Sequence, residues 1–411
     1  MPKRKEQKTG KIIVIGGGPA GLTLSALLGA YGLDVTCIDK QAPDVHMSRN
    51  YDGRTTAISY GSRNVLSHAG IWDDISEVAC PIRDIRILDG KSPVLMSFLS
   101  SEMQDKSFGW IVENCDLRRH LFDKLNELPN TTHLTETSVI DVQNRADNIT
   151  VELDDGKSLE ADLVVGADGR ASVTRQIMNI PARMWMYDQM AHVCVVYHEF
   201  PHDNVAYEHF REEGPFAILP MCDTQNGEHR SAVVWSDHKA RQREESLSDE
   251  AFLAAMQTRF PDHYGSVRLG GYRATYPLGL LHARRYIARR TALVAEAAHA
   301  MHPIAGQGLN MSLRDVAGLA ELVIDANELG EDIGSVGLLE QYERSRRFDN
   351  TRMLAATDGL TRMYASGFTP LRFARKLGVK AIASIPPAKR FFMSQAMGLN
   401  GRLSRFVREA A

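Results

Sequence analysis

Short apolar runs closed by glycine clusters set the rhythm of the first part of this chain. Ile12–Ile15 is a β-branched run, the pattern of a buried parallel strand. A crowded turn, Gly16-Gly17-Gly18-Pro19-Ala20-Gly21, follows at once. LTLSALLGAYGL, from Leu22, reads as a helix, and DVTCID as a second strand ending at Asp39. Farther on, LVVG is a strand that ends in Ala167-Asp168-Gly169-Arg170, and TALVA is another with Glu296 at its end. From Leu309 the apolar residues recur at helical spacing, so Gly306-Gln307-Gly308 is a loop opening onto a helix N-terminus. AHVCVVYHEF, GPFAILPM and SAVVWSD carry the β-branched and aromatic content of strands, and their order suggests an antiparallel sheet.

The first of these patterns has chemical content. Strand, glycine turn, helix and a second strand with an acidic end form the context that a GxGxxG match requires. Gly16 permits the turn, Gly18 lets a pyrophosphate approach the backbone, and Gly21 lets the helix pack close to the strand. The helix N-terminus offers N–H groups and a positive dipole end to the phosphates. Asp39, with Lys40 beside it, stands where ribose hydroxyls would donate. The glycine pattern alone is weak, because a plain glycine-rich loop gives it too, and it does not separate NAD from FAD. Asp168 is equally consistent with a ligand crevice at a strand end and with an ordinary Asp-Gly turn.

Size and composition add bounds. With 411 residues the chain has room for two domains, or for one large α/β domain with a second layer. A content of 44% hydrophobic and 24% charged residues is that of a soluble globular protein, and the net charge of −3 gives no argument for nucleic-acid binding. Five scattered cysteines without a CxxC suggest neither a zinc site nor a disulfide framework, and a reducing cytoplasm is the simplest setting. Basic MPKRKEQKTGK ahead of the apolar stretch to Leu33 is like a signal peptide or anchor, but the glycines and proline within it suit a turn better.

EAAHAMHPIAGQGLN, from Glu296, raises a metal question, since His299 and His302 sit three apart. Pro303 follows directly and disfavours helix at His302, and no close third ligand is evident.

The motifs resemble, in order, the FAD-dependent aromatic hydroxylases (class A flavoprotein monooxygenases). The likeness rests on GGGPAGLTLSALLGAYG, DGRTTAIS from Asp52, ENCDLRRHL from Glu113, VVGADGRASVTR from Val164, and AAHAMHPIAGQGLNMSLRDVAGL from Ala297. Shorter likenesses are GPFAILPM from Gly214 and YPLGLLHARRYIARRTALVAEAAH from Tyr276. HPIAGQGLN points to the branch that hydroxylates polyprenyl phenols in ubiquinone biosynthesis.

The resemblance implies a fold and a set of roles. The fold is α/β: a Rossmann-like FAD-binding domain, GR2-type and para-hydroxybenzoate-hydroxylase-like, with an interleaved antiparallel-sheet substrate domain and a helical C-terminus. FAD binding is expected of 1–75, 111–182 and 276–363, the substrate sheet of 76–110 and 183–275, and the C-terminal segment of 364–411. Glu296 is implied at the ribityl chain, and backbone N–H groups at Gly308, Leu309 and Asn310 at the flavin N1–C2=O edge, with Gly306 in the supporting loop. Pro303 and His299 are the candidates on the catalytic side, Pro303 lining the ring, while the histidines otherwise serve packing and loop geometry. Arg54 and Arg118 match positions that approach FAD, where a planar guanidinium suits pyrophosphate; Arg119 is the alternative to Arg118. Phe216 and Leu219 are candidate substrate contacts, with sheet core as the competing role.

In the implied cycle NAD(P)H reduces FAD, and oxygen passes through a C4a-hydroperoxide to a phenol ring, with no protein nucleophile and no metal. The partners implied are a polyprenyl phenol or another aromatic molecule, O2, and other ubiquinone-biosynthesis proteins. The basic, apolar C-terminus is a peripheral membrane contact, a partner-docking face or a plain helical cap. A flavin halogenase, a plain NAD dehydrogenase and a non-enzymatic flavin scaffold are the rival readings. Two departures from the family pattern bear on the last of these: Ala295-Glu296 replaces Gly-Asp, and Ser312 replaces a glycine.

Overall fold

A computed structural model describes residues 9–48, 54–90, 95–145, 147–211, 214–237, 248–365, 382 and 384–408. At its centre Lys11–Ile15 lies between Leu163–Gly166 and Asp34–Ile38, parallel to both. Val14 stands opposite Val165 on one side and Cys37 on the other. Thr291–Leu293 and Thr131–Leu134 extend this parallel sheet on either side, and Ile287–Ala288 adds an antiparallel edge. Strands buried on both faces explain why Ile12–Ile15 is apolar without alternation.

The helix Pro19–Ala30 covers one face and is buried from Ala20 to Gly29, packed against Asn114–Glu127 and Gly308–Leu329. It starts at Pro19, ahead of the expected Leu22, because proline's fixed φ suits the first helical position and Gly18 caps it. On the other face, an antiparallel sheet of Val139–Asn144, Ile149–Leu153 and Ser158–Ala161 packs on Ile13, Ile15 and Val164.

A second, eight-stranded sheet runs in the order His299–Ala300, Val267–Ala283, Ala182–His198, His229–Asp237, Pro215–Met221, Val205–Phe210, Asp84–Asp89 and Met96–Leu99. Its pairs are antiparallel except Val205–Phe210 with Asp84–Asp89. One face buries Phe216, Ile218, Val233 and Trp235 against Phe252 and Met256 of the helix Asp249–Gln257. The other face, with Ala206, Leu219, Met221 and Ala232, turns toward Ala57 and Ile111, paired in a small antiparallel sheet, and toward Tyr60 at the start of the following helix. The expected boundaries at 110 and 275 fall inside two strands: Gly109–Glu113, which pairs with Thr55–Ser59 and Cys80–Ile82 in a small third sheet, and Val267–Ala283, which stays within the eight-stranded sheet.

The long helix Val336–Ala365 flanks Gly308–Leu329, and Pro386–Ala396 inserts Met393 beside the sheet. Much of the basic C-terminal stretch lies outside the described residues. Among the described residues no helix is long and apolar enough to cross a membrane.

Candidate cofactor and substrate site

The first glycine turn is built by contact distances that admit no side chain. A Cβ on Gly21 would lie 1.9 Å from the Gly16 carbonyl oxygen, and one on Gly16 would lie 2.5 Å from that of Ala167. Gly16 also sits at φ +116°, a conformation open to glycine. Gly18 is the exception: a Cβ there meets nothing within 4 Å. That open side lies at the N-cap of Pro19–Ala30, which no side chain caps, so the first-turn N–H groups suit an anion. Asp39 closes the turn from below, its Oδ2 accepting from Gly17 N–H at 2.6 Å and its Oδ1 from Gln41 N–H at 2.8 Å. This turn-building role was not legible in the sequence. Lys40 is exposed beside it.

The second motif folds onto the third. Asp168, expected at the cofactor, braces its own loop. Its Oδ1 accepts from Ser172 Oγ at 2.5 Å, and its Oδ2 from Thr174 N–H at 2.9 Å and Thr174 Oγ1 at 3.0 Å. The Asp-Gly turn is the alternative that these bonds favour. Arg175 ties the loop across to the third motif, donating to the Ala297 carbonyl at 2.8 Å and to that of Arg170 at 2.6 Å. Arg170 then meets the half-exposed Glu296 carboxylate at 3.1 Å. Ala295, where the family pattern has glycine, adopts φ +56°, a strained conformation for a residue with a Cβ.

The third motif presents a second open helix N-terminus. Gly308–Leu329 begins without a side-chain cap, so its first N–H groups, at Gly308, Leu309 and Asn310, have no acceptor within the helix. A Cβ on Gly308 meets nothing within 4 Å, and Gly306 takes φ +60° to turn the loop. The Asn310 side chain faces inward: it donates to the Ala57 and Gly306 carbonyls at 2.8 and 3.0 Å and accepts from Ser59 N–H at 2.9 Å. Any cofactor contact of Asn310 is thus left to its backbone. Ser312 is accommodated by bonding back to the Gly308 carbonyl at 3.0 Å. Pro303 is half-buried at the start of the loop.

The two histidines diverge. His302 Nε2 lies 3.1 Å from Gln189 Oε1. His299, a catalytic candidate from sequence, is only 2% exposed and its Nε2 donates to Asp315 Oδ2 at 2.5 Å. This contact places it in a supporting position, inside the protein. Asp315 also accepts from Arg346 Nε at 2.9 Å, Asn350 Nδ2 at 3.0 Å and Ala295 N–H at 3.2 Å. Burial would raise the Asp315 pKa, but His299, Arg346 and Asn350 outweigh it and hold the group down at about 2. A buried ion cluster therefore fixes the strained Ala295 and, next to it, Glu296. Sequence reasoning missed Asp315 and Arg346. The available signal was an aspartate on the buried stripe Met311, Asp315, Leu319.

Arg118 lies on the inner face of Asn114–Glu127 and is 4% exposed, whereas Arg119 is at the surface and pairs with Asp116 at 3.1 Å. Helix geometry thus separates the two candidates in favour of Arg118. Arg54 is exposed, its guanidinium 5.1 Å from the centre of the Tyr276 ring. Two uncapped helix ends with open glycines, and arginines near the connecting strands, fit a dinucleotide whose phosphates and ring edge both carry negative charge.

A family model described as an FAD binding domain matches residues 9–357. The chain belongs to this family. The FAD-dependent hydroxylase likeness of its motifs is borne out by its relatives. A ubiquinone hydroxylase, UbiL, of Rhodospirillum rubrum is 41% identical, over 95% of this chain and 90% of that protein. The 3-demethoxyubiquinol 3-hydroxylase of Escherichia coli is 31% identical, over 95% and 98%. In structure, p-nitrophenol 4-monooxygenase PnpA of Pseudomonas putida matches with a TM-score of 0.78 at 20% identity, over 97% of this chain and 100% of that one. That likeness bears on the fold, which is the para-hydroxybenzoate-hydroxylase type expected.

In this flavoprotein the inner face of the second sheet is apolar. Phe216 and Leu219 are three apart in one strand, so they point to opposite faces. Phe216 is corrected to core: it is fully buried against Phe260 and Trp235 on the outer face. Leu219 lies on the inner face, toward Ala57 and Tyr60. The same face carries an unexpected acid. Glu208 stands opposite Ala217 on one neighbouring strand and Ile87 on the other. Burial, with no partner among the described residues, raises its pKa from 4.5 to about 7. Its signal in the sequence was a carboxylate at an inward position of VAYEHF.

Proposed function

We propose that this chain hydroxylates the aromatic ring of a polyprenyl phenol in ubiquinone biosynthesis, with FAD as cofactor, O2 as oxygen source and NAD(P)H as electron donor. The observation that carries the reading is a cofactor cradle of two open helix N-termini, in a chain 41% identical to a ubiquinone hydroxylase over 95% of its length. FAD, when bound and reduced, supplies the activation of oxygen.

The chain's own residues bind, orient and exclude. The turn at Gly18 takes the phosphates. The N–H groups of Gly308, Leu309 and Asn310 face the ring edge that gains negative charge on reduction, where the helix dipole stabilises it. Glu296 holds the ribityl chain, positioned by Arg170 and by the cluster under Ala295. Pro303 lines the ring. Leu219 and its neighbours keep water from the reacting centre. Exposed Phe391 and Phe392 on the C-terminal helix Pro386–Ala396 suit contact with a membrane or with another biosynthetic protein.

The test is turnover by purified holoenzyme with NADH or NADPH, a short-chain polyprenyl phenol and isotopically labelled O2. One labelled oxygen atom in the ring, coupled to reductant oxidation, supports the reading. Bound FAD without incorporation, together with rescue of a quinone-deficient strain by a flavin-free variant, would replace it with a scaffold.

A further inference from the structure

Beside the strand His299–Ala300, a cavity of about 310 Å3 is lined by Arg183, His282, Ala283, Arg284 and Arg347. Arg183 and His282 face each other on paired strands, and Arg347 reaches in from the helix Val336–Ala365. Among the described residues no carboxylate lines the cavity.

The arginines' sequence neighbours make the arrangement informative. Arg285 is matched by both oxygens of Glu343 at 2.9 Å, and Arg346 by Asp315 and Asp349 at 2.9 and 2.8 Å. Arg284 and Arg347, one position away from each, turn into the cavity. Among the described residues, the guanidiniums of Arg183, Arg284 and Arg347 have neither an ion pair nor a hydrogen bond. His282 Nε2 is buried there without a partner. Burial first, and then Arg347, His299 and Arg183, hold the His282 pKa down at about 4. The three arginines are exposed and free to turn toward a ligand, and a buried polar atom without a bond is destabilising; an anion held by the guanidiniums would accept from the protonated His282 ring.

We propose that this cavity is a second anion site, for a phosphate-bearing ligand, separate from the glycine turn that takes the cofactor. Planar guanidiniums from three directions match the oxygens of a phosphate, and His282 supplies a further polar contact. Trp185, two positions along the strand and on the same face as Arg183, is 37% exposed. Either a free phosphate ester or a phospholipid headgroup would satisfy that chemistry.

The experiment uses FAD-loaded enzyme, so that the cofactor's own phosphate site is filled. Inorganic pyrophosphate is titrated by calorimetry. Saturable one-to-one binding that weakens with salt is expected. It should fall about tenfold with each of Arg284→Gln and Arg347→Gln. Arg344→Gln, on the same helix but ion-paired to Glu340, should leave it unchanged. Pyrophosphate should also raise the His282 pKa, read from its ring resonances. A parallel arm floats the enzyme with phosphatidylcholine vesicles, with and without phosphatidylglycerol. Association that needs phosphatidylglycerol and is lost in the Arg284→Gln, Arg347→Gln double variant assigns the site to a headgroup. Pyrophosphate binding without such association assigns it to a free phosphate. Binding of neither probe, or binding that the double variant leaves intact, overturns the proposal.

Discussion

A Cβ at Gly21 would come 1.9 Å from a backbone oxygen, whereas a Cβ at Gly308 meets nothing within 4 Å. Both glycines stand at the start of a helix whose N-terminus is uncapped by any side chain. In the first loop, backbone packed on backbone makes the shape, with Asp39 closing it from 22 positions away. In the second, side chains make it. Asn310 ties the loop to Ala57 and Ser59, and Asp315 gathers His299, Arg346, Asn350 and the Ala295 N–H. One open helix end is thus shaped mainly by backbone contacts, and the other by side chains gathered from several elements.

Breaking the side-chain support should have the largest effect. Arg346→Met leaves Asp315 buried without its guanidinium and should cost about 3–5 kcal/mol by urea denaturation. Unchanged stability would mean that the second loop is as self-contained as the first. Acid sharpens the same point. The Asp315 pKa is depressed from 3.8 to about 2, so its stabilisation is complete above pH 3.8 and is lost as pH falls through about 2.

Glu208 gives the opposite sign, because it is a half-buried acid without a cationic partner among the described residues. With its pKa raised from 4.5 to about 7, its contribution is most favourable below pH 4.5 and is lost as pH rises toward 7. Glu208→Gln should flatten that decline in a stability–pH profile. A decline that persists in the variant would place its origin elsewhere. The smallest effect expected is at Ala295. Replacing this left-handed residue, at φ +56°, with glycine should stabilise the protein by up to about 1 kcal/mol and raise FAD retention. A loss of stability would show that the departure from the family's glycine is compensated locally.

The same contrast explains what the sequence disclosed. The strand, the glycine turn and the helix that follows were legible because adjacent residues determine them. The family likeness located Glu296 and Gly308 but not their support. Asp315 bonds Ala295 and His299 on one side and Arg346 and Asn350 on the other at once, a convergence that no local spacing encodes. Asp168 is ambiguous for the reverse reason, since an Asp-Gly turn and a ligand crevice share the same residues; its bonds to Ser172 and Thr174 show the turn. Phe216 and Leu219 were paired as substrate contacts although strand alternation puts them on opposite faces. That rule was available, but the identity of the inner face was not until the strands were paired.

The most direct test sets Gly308→Val beside Gly21→Ala, reading FAD per chain and the unfolding midpoint of the cofactor-free protein for each. Gly308→Val should keep the cofactor-free midpoint of the parent and lose the flavin, because its side chain enters only the space the cofactor needs. Gly21→Ala should lower the midpoint itself, by about 3 kcal/mol of stability or more. Full FAD occupancy in Gly308→Val would contradict the assignment of the second helix end to the cofactor.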